Sequence, residues 1–418
     1  MRIYLSHNLD GPKIKIALFR LIIICPYLLS ASELEWQAEF RYRMMQDRTS
    51  LVVNTETNNE PSTYSLLRSR IFFKLINGPV SINLQLQDSR ILGYPSNSPG
   101  FAKNDEAKPF FHQVYLHVDN ILKRNWSVQL GRFELALGQQ RLIAKNNWNN
   151  IGRSFEGFLT YRKTPRGTLR LFHLINNEGY ERFDSDRYDQ TIDGFYFDRS
   201  LNRLNKLGGT AVEIYYFRTG LAEAKDENRV QNYYRKTYGS RLNTRFLFFT
   251  LEAEGALQFG DLAGGNVDGL LTAVNIGINL EFLPIISAVS LGNEYISGDD
   301  GDTDKVYEGF AKPFGAGHKW HGYYDYSAHK SFADNTHIGL KEWNVKATLS
   351  GLLGFNLNIH YHNFSDAVYD KKFGDELDLI FSRKLPWEGN WSLGYALYWE
   401  YGNEEPFDFT YLMISFIL

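Results

Sequence analysis

The 418-residue chain has one cysteine, Cys25, and it lies in an apolar stretch near the N-terminus. If that stretch is removed on export, the remaining chain has no thiol, which excludes disulfides, thiolate nucleophiles and Cys-ligated metals. Long apolar runs are missing too. After residue 31 no run of about 18 apolar residues is free of polar breaks, so no transmembrane helix is expected. The best candidate, 270–291, is interrupted by Asn275, Asn279, Glu281 and Pro284. Charge of one sign is not in excess: the net is −3, and −6 once residues 1–31 take four cations and one anion with them. Net charge therefore gives no support for a polyanionic partner, and nucleic acid is not expected.

What is present is alternation at two scales. Along strands, apolar and polar residues alternate over about ten positions, the period of a sheet with one apolar face. Trp36, Ala38, Phe40 and Tyr42 share one face, with Glu35, Gln37, Glu39, Arg41 and Arg43 opposite. Phe355, Leu357, Ile359 and Tyr361 alternate with Asn356, Asn358, His360 and His362; Trp391, Leu393, Tyr395, Leu397, Trp399 and Tyr401 alternate with smaller or polar residues. Between strands, tight breaks at 77–79, 163–167, 243–245, 283–285, 351–354 and 385–390 alternate with long polar stretches at 44–63, 91–108, 133–154, 177–191 and 298–336. Short turns at one end and long loops at the other are the pattern of a transmembrane β-barrel, with lipid outside and a wet lumen inside.

Aromatic residues form 15% of the chain, and Trp126, Trp343, Trp391, Trp399 and Tyr401 fall near strand ends, where an interfacial girdle would place them. Lys13, Lys15 and Arg20, the apolar run 21–29 and the small residues Ser30-Ala31-Ser32 read as a signal peptide over 1–31, leaving 32–418 as one barrel domain. A short membrane anchor is the competing reading, disfavoured because the run is too short to span. Eighteen strands are predicted near 34–43, 64–76, 80–90, 109–118, 126–132, 155–162, 168–176, 192–199, 209–218, 232–242, 246–259, 270–282, 286–297, 337–350, 355–365, 375–384, 391–402 and 407–418. The least regular are 192–199 and 232–242, and without them the count is sixteen. An even count puts both termini in the periplasm, and the fold class is an all-β, antiparallel up-and-down outer-membrane barrel. Leu412, Ile414, Phe416 and Leu418 share a face of the last strand, which suits both a lipid-facing strand and a C-terminal insertion signal.

Several blocks resemble the alginate export family of outer-membrane barrels: Leu84-Gln85-Leu86-Gln87-Asp88-Ser89-Arg90, Phe111 to Leu116, Gly131-Arg132-Phe133-Glu134-Leu135 continuing through Gly138, Arg141 and Trp148 to Gly152-Arg153-Ser154-Phe155, Ser297-Gly298-Asp299, and His318-Lys319-Trp320-His321-Gly322-Tyr323-Tyr324-Asp325. They occur in family order over most of the chain. The resemblance implies an eighteen-stranded, monomeric pore for an anionic polysaccharide, set in outer-membrane lipid, with a periplasmic secretion-scaffold protein as a candidate partner.

Charge at lipid depth costs several kcal/mol, so Arg68, Arg70 and Lys74 should point into the lumen beside Arg41 and Arg43 of the neighbouring strand. Such a basic wall could hold carboxylate or sulfate groups of a passing sugar. The competing reading is a structural ladder neutralised by Glu35, Glu39 or an acidic loop. Arg132, Arg141, Arg153 and Lys346 complete the candidate pore-lining cations. Inward acids at Glu252, Glu254, Glu281 and Glu400 would give the cross-pore field of a general or sugar-selective diffusion porin, the alternative function.

Chemistry other than conduction finds little footing. Glu252 and Glu254 stand two apart on a strand, their Cβ atoms about 7 Å apart, with nothing nearby to shape a sugar site, so an outer-membrane enzyme is not expected. His360 and His362 share an inward face but show no third metal ligand at a fixed spacing. The loop Gly298 to Asp304 is rich in carboxylates yet has no closing Glu of a hand-type calcium site. No cofactor is expected, and a purely structural or adhesive barrel is the remaining alternative.

Overall fold

The structure is a computed structural model that describes residues 33–47, 62–93, 106–121, 125–176, 190–201, 208–223, 231–262, 265–301, 305–312, 314–324, 338–352 and 354–418. The predicted signal segment, Cys25 and Asp302 to Asp304 of the acidic loop lie outside the described residues. Among the described residues nineteen strands form one sheet. In chain order they are β1 (Glu33–Asp47), β2 (Ser62–Asn77), β3 (Val80–Leu92), β4 (Ala107–Ile121), β5 (Trp126–Phe133), β6 (Phe155–Thr164), β7 (Gly167–Asn176), β8 (Gln190–Ser200), β9 (Thr210–Glu223) and β10 (Gln231–Phe246). Then follow β11 (Phe249–Leu262), β12 (Gly265–Asn279), β13 (Ile286–Ile296), the two-residue β14 (Val306–Tyr307), β15 (Leu340–Leu352), β16 (Phe355–Ser365), β17 (Lys372–Leu385), β18 (Gly389–Glu400) and β19 (Phe407–Ile417).

Eighteen of these close into an antiparallel barrel, each paired to its sequence neighbour, with β14 added in parallel at the end of β12. Closure is made by β1 against β19, Phe40 opposite Phe416, and by Ala38 exchanging backbone hydrogen bonds with Leu418 at 2.8 and 2.9 Å. A closed ring satisfies every strand edge, which is what hydrocarbon demands. The outward phase matches the sequence pattern: Trp36, Phe40, Ile71, Leu257, Leu291, Val345 and Tyr395 are exposed, whereas Arg41, Arg43, Arg68 and Arg70 are buried.

Three details differ from the sequence expectation. The turn placed at 243–245 lies at Leu247-Phe248, with Phe246 paired to Phe249. This hairpin is made of exposed apolar residues at the membrane interface, where turns need not be polar. Glu281 is not an inward acid; it sits exposed in the turn after β12, hydrogen-bonded to Asn279. The lumen is not polar throughout. Phe172, Leu174, Ile192, Tyr196, Tyr215 and Phe217 are buried on the inner face of β7, β8 and β9. With Phe195 exposed outside, β8 is apolar on both faces, which is why its period was hard to read.

The mature protein should recover with the outer-membrane fraction and migrate faster on gels before boiling than after. A soluble periplasmic pool as the main product would contradict a lipid-facing barrel.

Candidate functional site

The apolar inner wall has a partner. The β5 to β6 connection, 134–154, folds into the barrel and buries Leu135, Leu137, Leu142, Ile143 and Ile151. Burying such side chains contributes about 1.5–3 kcal/mol each, enough to hold a segment that sequence alone marks as a polar loop. One end of this loop docks on β1, β2 and β3. Arg41 donates to the carbonyls of Asn147 at 2.6 Å and Asn149 at 3.1 Å. Arg43 donates to Trp148 O at 2.9 Å and lies 3.9 Å over its ring. Arg68 pairs with Glu39 at 2.5 Å and reaches the same carbonyls, at 3.4 and 3.3 Å. Arg70 bridges Gln87 at 2.6 Å, Glu134 at 3.1 Å and Ile151 O at 3.0 Å. Gly152 is required here: its φ is +80°, and a Cβ would stand 2.9 Å from the Arg70 guanidinium.

The other end crosses the lumen. Arg141 donates to Glu254 of β11 at 3.1 Å and to Glu294 of β13, and lies 3.8 Å over Trp320. β2 and β11 are nine strands apart around the eighteen-strand ring, so this loop spans the barrel. Burial works against the Arg141 charge, but Glu294 and Glu254 outweigh it and hold its pKa above the ordinary value. Burial also opposes ionisation of Glu134, but hydrogen bonding to His112 and the charge of Arg70 bring its pKa below the usual range.

A second inward segment, 305–324, with the short helix α1 (Gly317–Trp320), meets the first. Ala144 N–H donates to Phe314 O at 2.8 Å, and Arg153 to the same carbonyl at 2.6 Å. Burial lowers the Arg153 pKa to about 10, so it stays cationic at neutral pH. His318 stacks on Trp148 at 3.8 Å between ring centroids; burial and nearby Arg43 push its pKa well below the usual range, so the stacked ring is neutral. Gly322, at φ +86°, turns the chain so closely onto β17 that a Cβ would clash with Glu376. That turn lets Tyr324 N–H donate to Glu376 at 2.8 Å and Tyr323 N–H to Asp378 at 3.4 Å.

The predicted cations therefore divide. Arg41, Arg43, Arg68, Arg70, Arg141 and Arg153 anchor the inward segments and are not bare wall charges. All but Arg141, which meets carboxylates, donate to backbone carbonyls of the buried segments. Lys74 pairs with Glu35 at 2.9 Å near the periplasmic end of β2. Arg132 does not line the pore as expected: it shares the outward face of Leu130 and Val114 and binds Ser154 Oγ at 2.9 Å and Glu156 at 3.1 Å. Lys346 stands half-buried on the inner face opposite His360. Sequence reading missed Lys145 and Lys319. Lys145 is 39% exposed beside Glu134 at 3.8 Å, and Lys319 projects from α1, held by Gln139 Oε1 at 2.8 Å. The contacts of Lys319 with Gln139 of the inward loop place it inside the lumen, and burial, together with the charges of Arg141, Arg241 and Lys346 and against that of Glu252, lowers its pKa. A signal existed in sequence: an otherwise polar loop that carries Leu135, Leu137, Leu142, Ile143, Trp148 and Ile151 has a reason to fold inward.

The candidate acids are also engaged. Glu252 pairs with Arg241 at 3.1 Å, and Glu254 accepts from Tyr215 as well as from Arg141. Asp299 caps its own loop, accepting from Gly301 N–H at 2.9 Å and Glu308 N–H at 3.0 Å.

No curated protein matches the chain in sequence. Among solved structures it is similar to the outer-membrane protein opdK from Pseudomonas aeruginosa, at a TM-score of 0.61 and 13% identity, covering 93% of this chain and 99% of that one. A BenF-like porin from Pseudomonas fluorescens Pf-5 gives 0.62 and 13%, with the same coverage. OpdK with vanillate gives 0.57 and 14%, covering 92% and 98%. At such identity the likeness speaks for the fold alone, a closed antiparallel β-barrel. The family model for alginate export matches residues 32–400, and the chain belongs to the alginate export family.

Proposed function

We propose that the barrel passes carboxylate-bearing solutes passively across the outer membrane, with an alginate-like uronate polysaccharide as the leading cargo. The observation that carries this is the set of lysines left accessible once the arginine anchors are accounted for: Lys319 and Lys145 on the inward segments and Lys346 on the inner wall. Fields from such groups add inside a lumen walled by low-dielectric material and raise the local concentration of anions. Family membership supports the uronate. The pore works as a monomer in this reading, with a periplasmic secretion scaffold delivering its cargo. A second reading, uptake of small carboxylates, draws on the vanillate-bound opdK and on the loop that crosses this lumen.

Single-channel recording in planar bilayers tests both. Lys319→Gln combined with Lys145→Gln should lower anion-over-cation permeability and weaken block by oligouronates, with a neutral oligosaccharide little affected. The difference should shrink near molar salt, where the screening length falls to about 3 Å. Parent-like selectivity in the double variant at low salt would remove these lysines from the selectivity claim. Block by vanillate without block by oligouronates would transfer the cargo to the second reading.

A further inference from the structure

We propose a divalent transition-metal site on the inner wall, formed by His360 and His362 of β16 and Asp378 of β17. The register places His360 directly opposite Asp378 and His362 opposite Glu376, all on the inner face. One donor atom from each of His360, His362 and Asp378 can be chosen so that all three lie within 4.8 Å of one another. His362 Nε2 and Asp378 Oδ2 are already 3.6 Å apart. Two ligands on a tetrahedral ion with bonds of about 2.1 Å stand about 3.4 Å apart, so this pair needs almost no movement.

The electron-rich atoms are what call for a cation. His362 and Asp378 are 0% exposed, and His362 Nε2 and Asp378 Oδ2 have no hydrogen-bond partner among the described residues. Glu376 Oε2, adjacent, is in the same position. His362 Nδ1 is held at 2.7 Å by Glu342, which fixes the proton there and turns the Nε2 lone pair towards Asp378. A carboxylate behind a histidine is the usual arrangement around metal-ligating imidazoles. Asp378 and Glu376 lie side by side on the inner face of β17, and a cation at Asp378 Oδ2 and His362 Nε2 would satisfy two acceptors that have no hydrogen bond among the described residues. Two imidazoles and a carboxylate suit zinc, cobalt or nickel better than calcium or magnesium.

The neighbouring group Glu294, His321 and Glu342 has comparable spacing but is already partnered. Lys312 binds Glu294 at 2.8 Å and contacts His321 Nε2 at 2.7 Å, while His321 Nδ1 meets Glu342 at 2.5 Å. That cluster is an ion-pair network. The proposed site sits under the Gly322 turn, whose Tyr323 and Tyr324 N–H groups rest on Asp378 and Glu376. A bound ion would therefore tie β16, β17 and the second inward segment together.

The test uses untagged protein extracted from outer membranes in detergent, stripped with chelator and titrated with Co²⁺. One Co²⁺ per chain should bind with a visible d–d band, displaced by Zn²⁺ and not by millimolar Ca²⁺. Zn²⁺ should also raise the temperature at which the compact gel band is lost. His360→Ala removes the half-exposed ligand, which lies outside the Glu342 network, and should weaken Co²⁺ at least 10-fold and abolish the Zn²⁺ shift while the band remains compact. Asp378→Asn should do the same. Absence of stoichiometric Co²⁺ or Zn²⁺ binding in the parent would overturn the site. Unchanged affinity in His360→Ala, or loss only in His321→Ala, would overturn it as well.

Discussion

Replacing Arg141 with Met should lower the stability of the folded barrel by about 3–5 kcal/mol, because it leaves buried carboxylates without their cation. Arg141 is 3% exposed, and its partners Glu254 and Glu294 are 8% and 4% exposed. Glu254 keeps the Tyr215 hydroxyl at 2.9 Å and Glu294 keeps Lys312 at 2.8 Å, which argues for the lower part of that range. The measurement is the urea midpoint of the heat-modifiable form in detergent. Adding Glu254→Gln to Arg141→Met should recover part of the loss, since the carboxylate left without a cation is then neutral while Glu294 keeps Lys312. The same variant should release the loop end that crosses the lumen and increase single-channel conductance. If stability and conductance both stay at parent values, Arg141 does not hold the loop across the pore.

The second large effect lies on the lipid face. Leu291→Arg and Leu257→Arg, at positions 49% and 44% exposed midway along β13 and β11, should each cost about 2–4 kcal/mol or block assembly. Asn358→Arg, on the inner face of β16, should fold, losing only the hydrogen bond that Thr348 donates at 2.9 Å. Levels of the compact form in outer membranes report all three. Equal tolerance would mean that Leu291 and Leu257 do not face hydrocarbon.

The strand pattern was legible because it is local. Period two over ten residues, broken by turn residues, was enough to find all eighteen barrel strands, including β8 and β10, and to orient β1, β2, β16 and β18. The turn at Phe246 to Phe249 was misplaced because it is made of apolar residues that meet the membrane interface, and β8, though found, was the least regular strand because its inner face is apolar under a loop.

The arginines show the limit most clearly. Alternation and the cost of charge in lipid were sufficient to point Arg41, Arg43, Arg68 and Arg70 inward. Whether those guanidiniums meet solvent or carbonyls depends on where residues 147–151 lie, more than 50 positions away in the chain. Likewise the blocks around Arg141, Gly152 and Gly322 were visible as family motifs, but their work is tertiary: a cation between β11 and β13, and two glycines where backbone approaches Arg70 and Glu376. His360 and His362 could be placed on one face from sequence, yet the third donor came from the register with β17. Sequence determined the barrel, its phase and its membrane setting, because those follow from the period of apolar residues and the cost of exposing polar groups to lipid. Tertiary structure decided which charges remain free in the lumen, because that depends on long loops whose buried contacts are made across the barrel and leave no periodic trace.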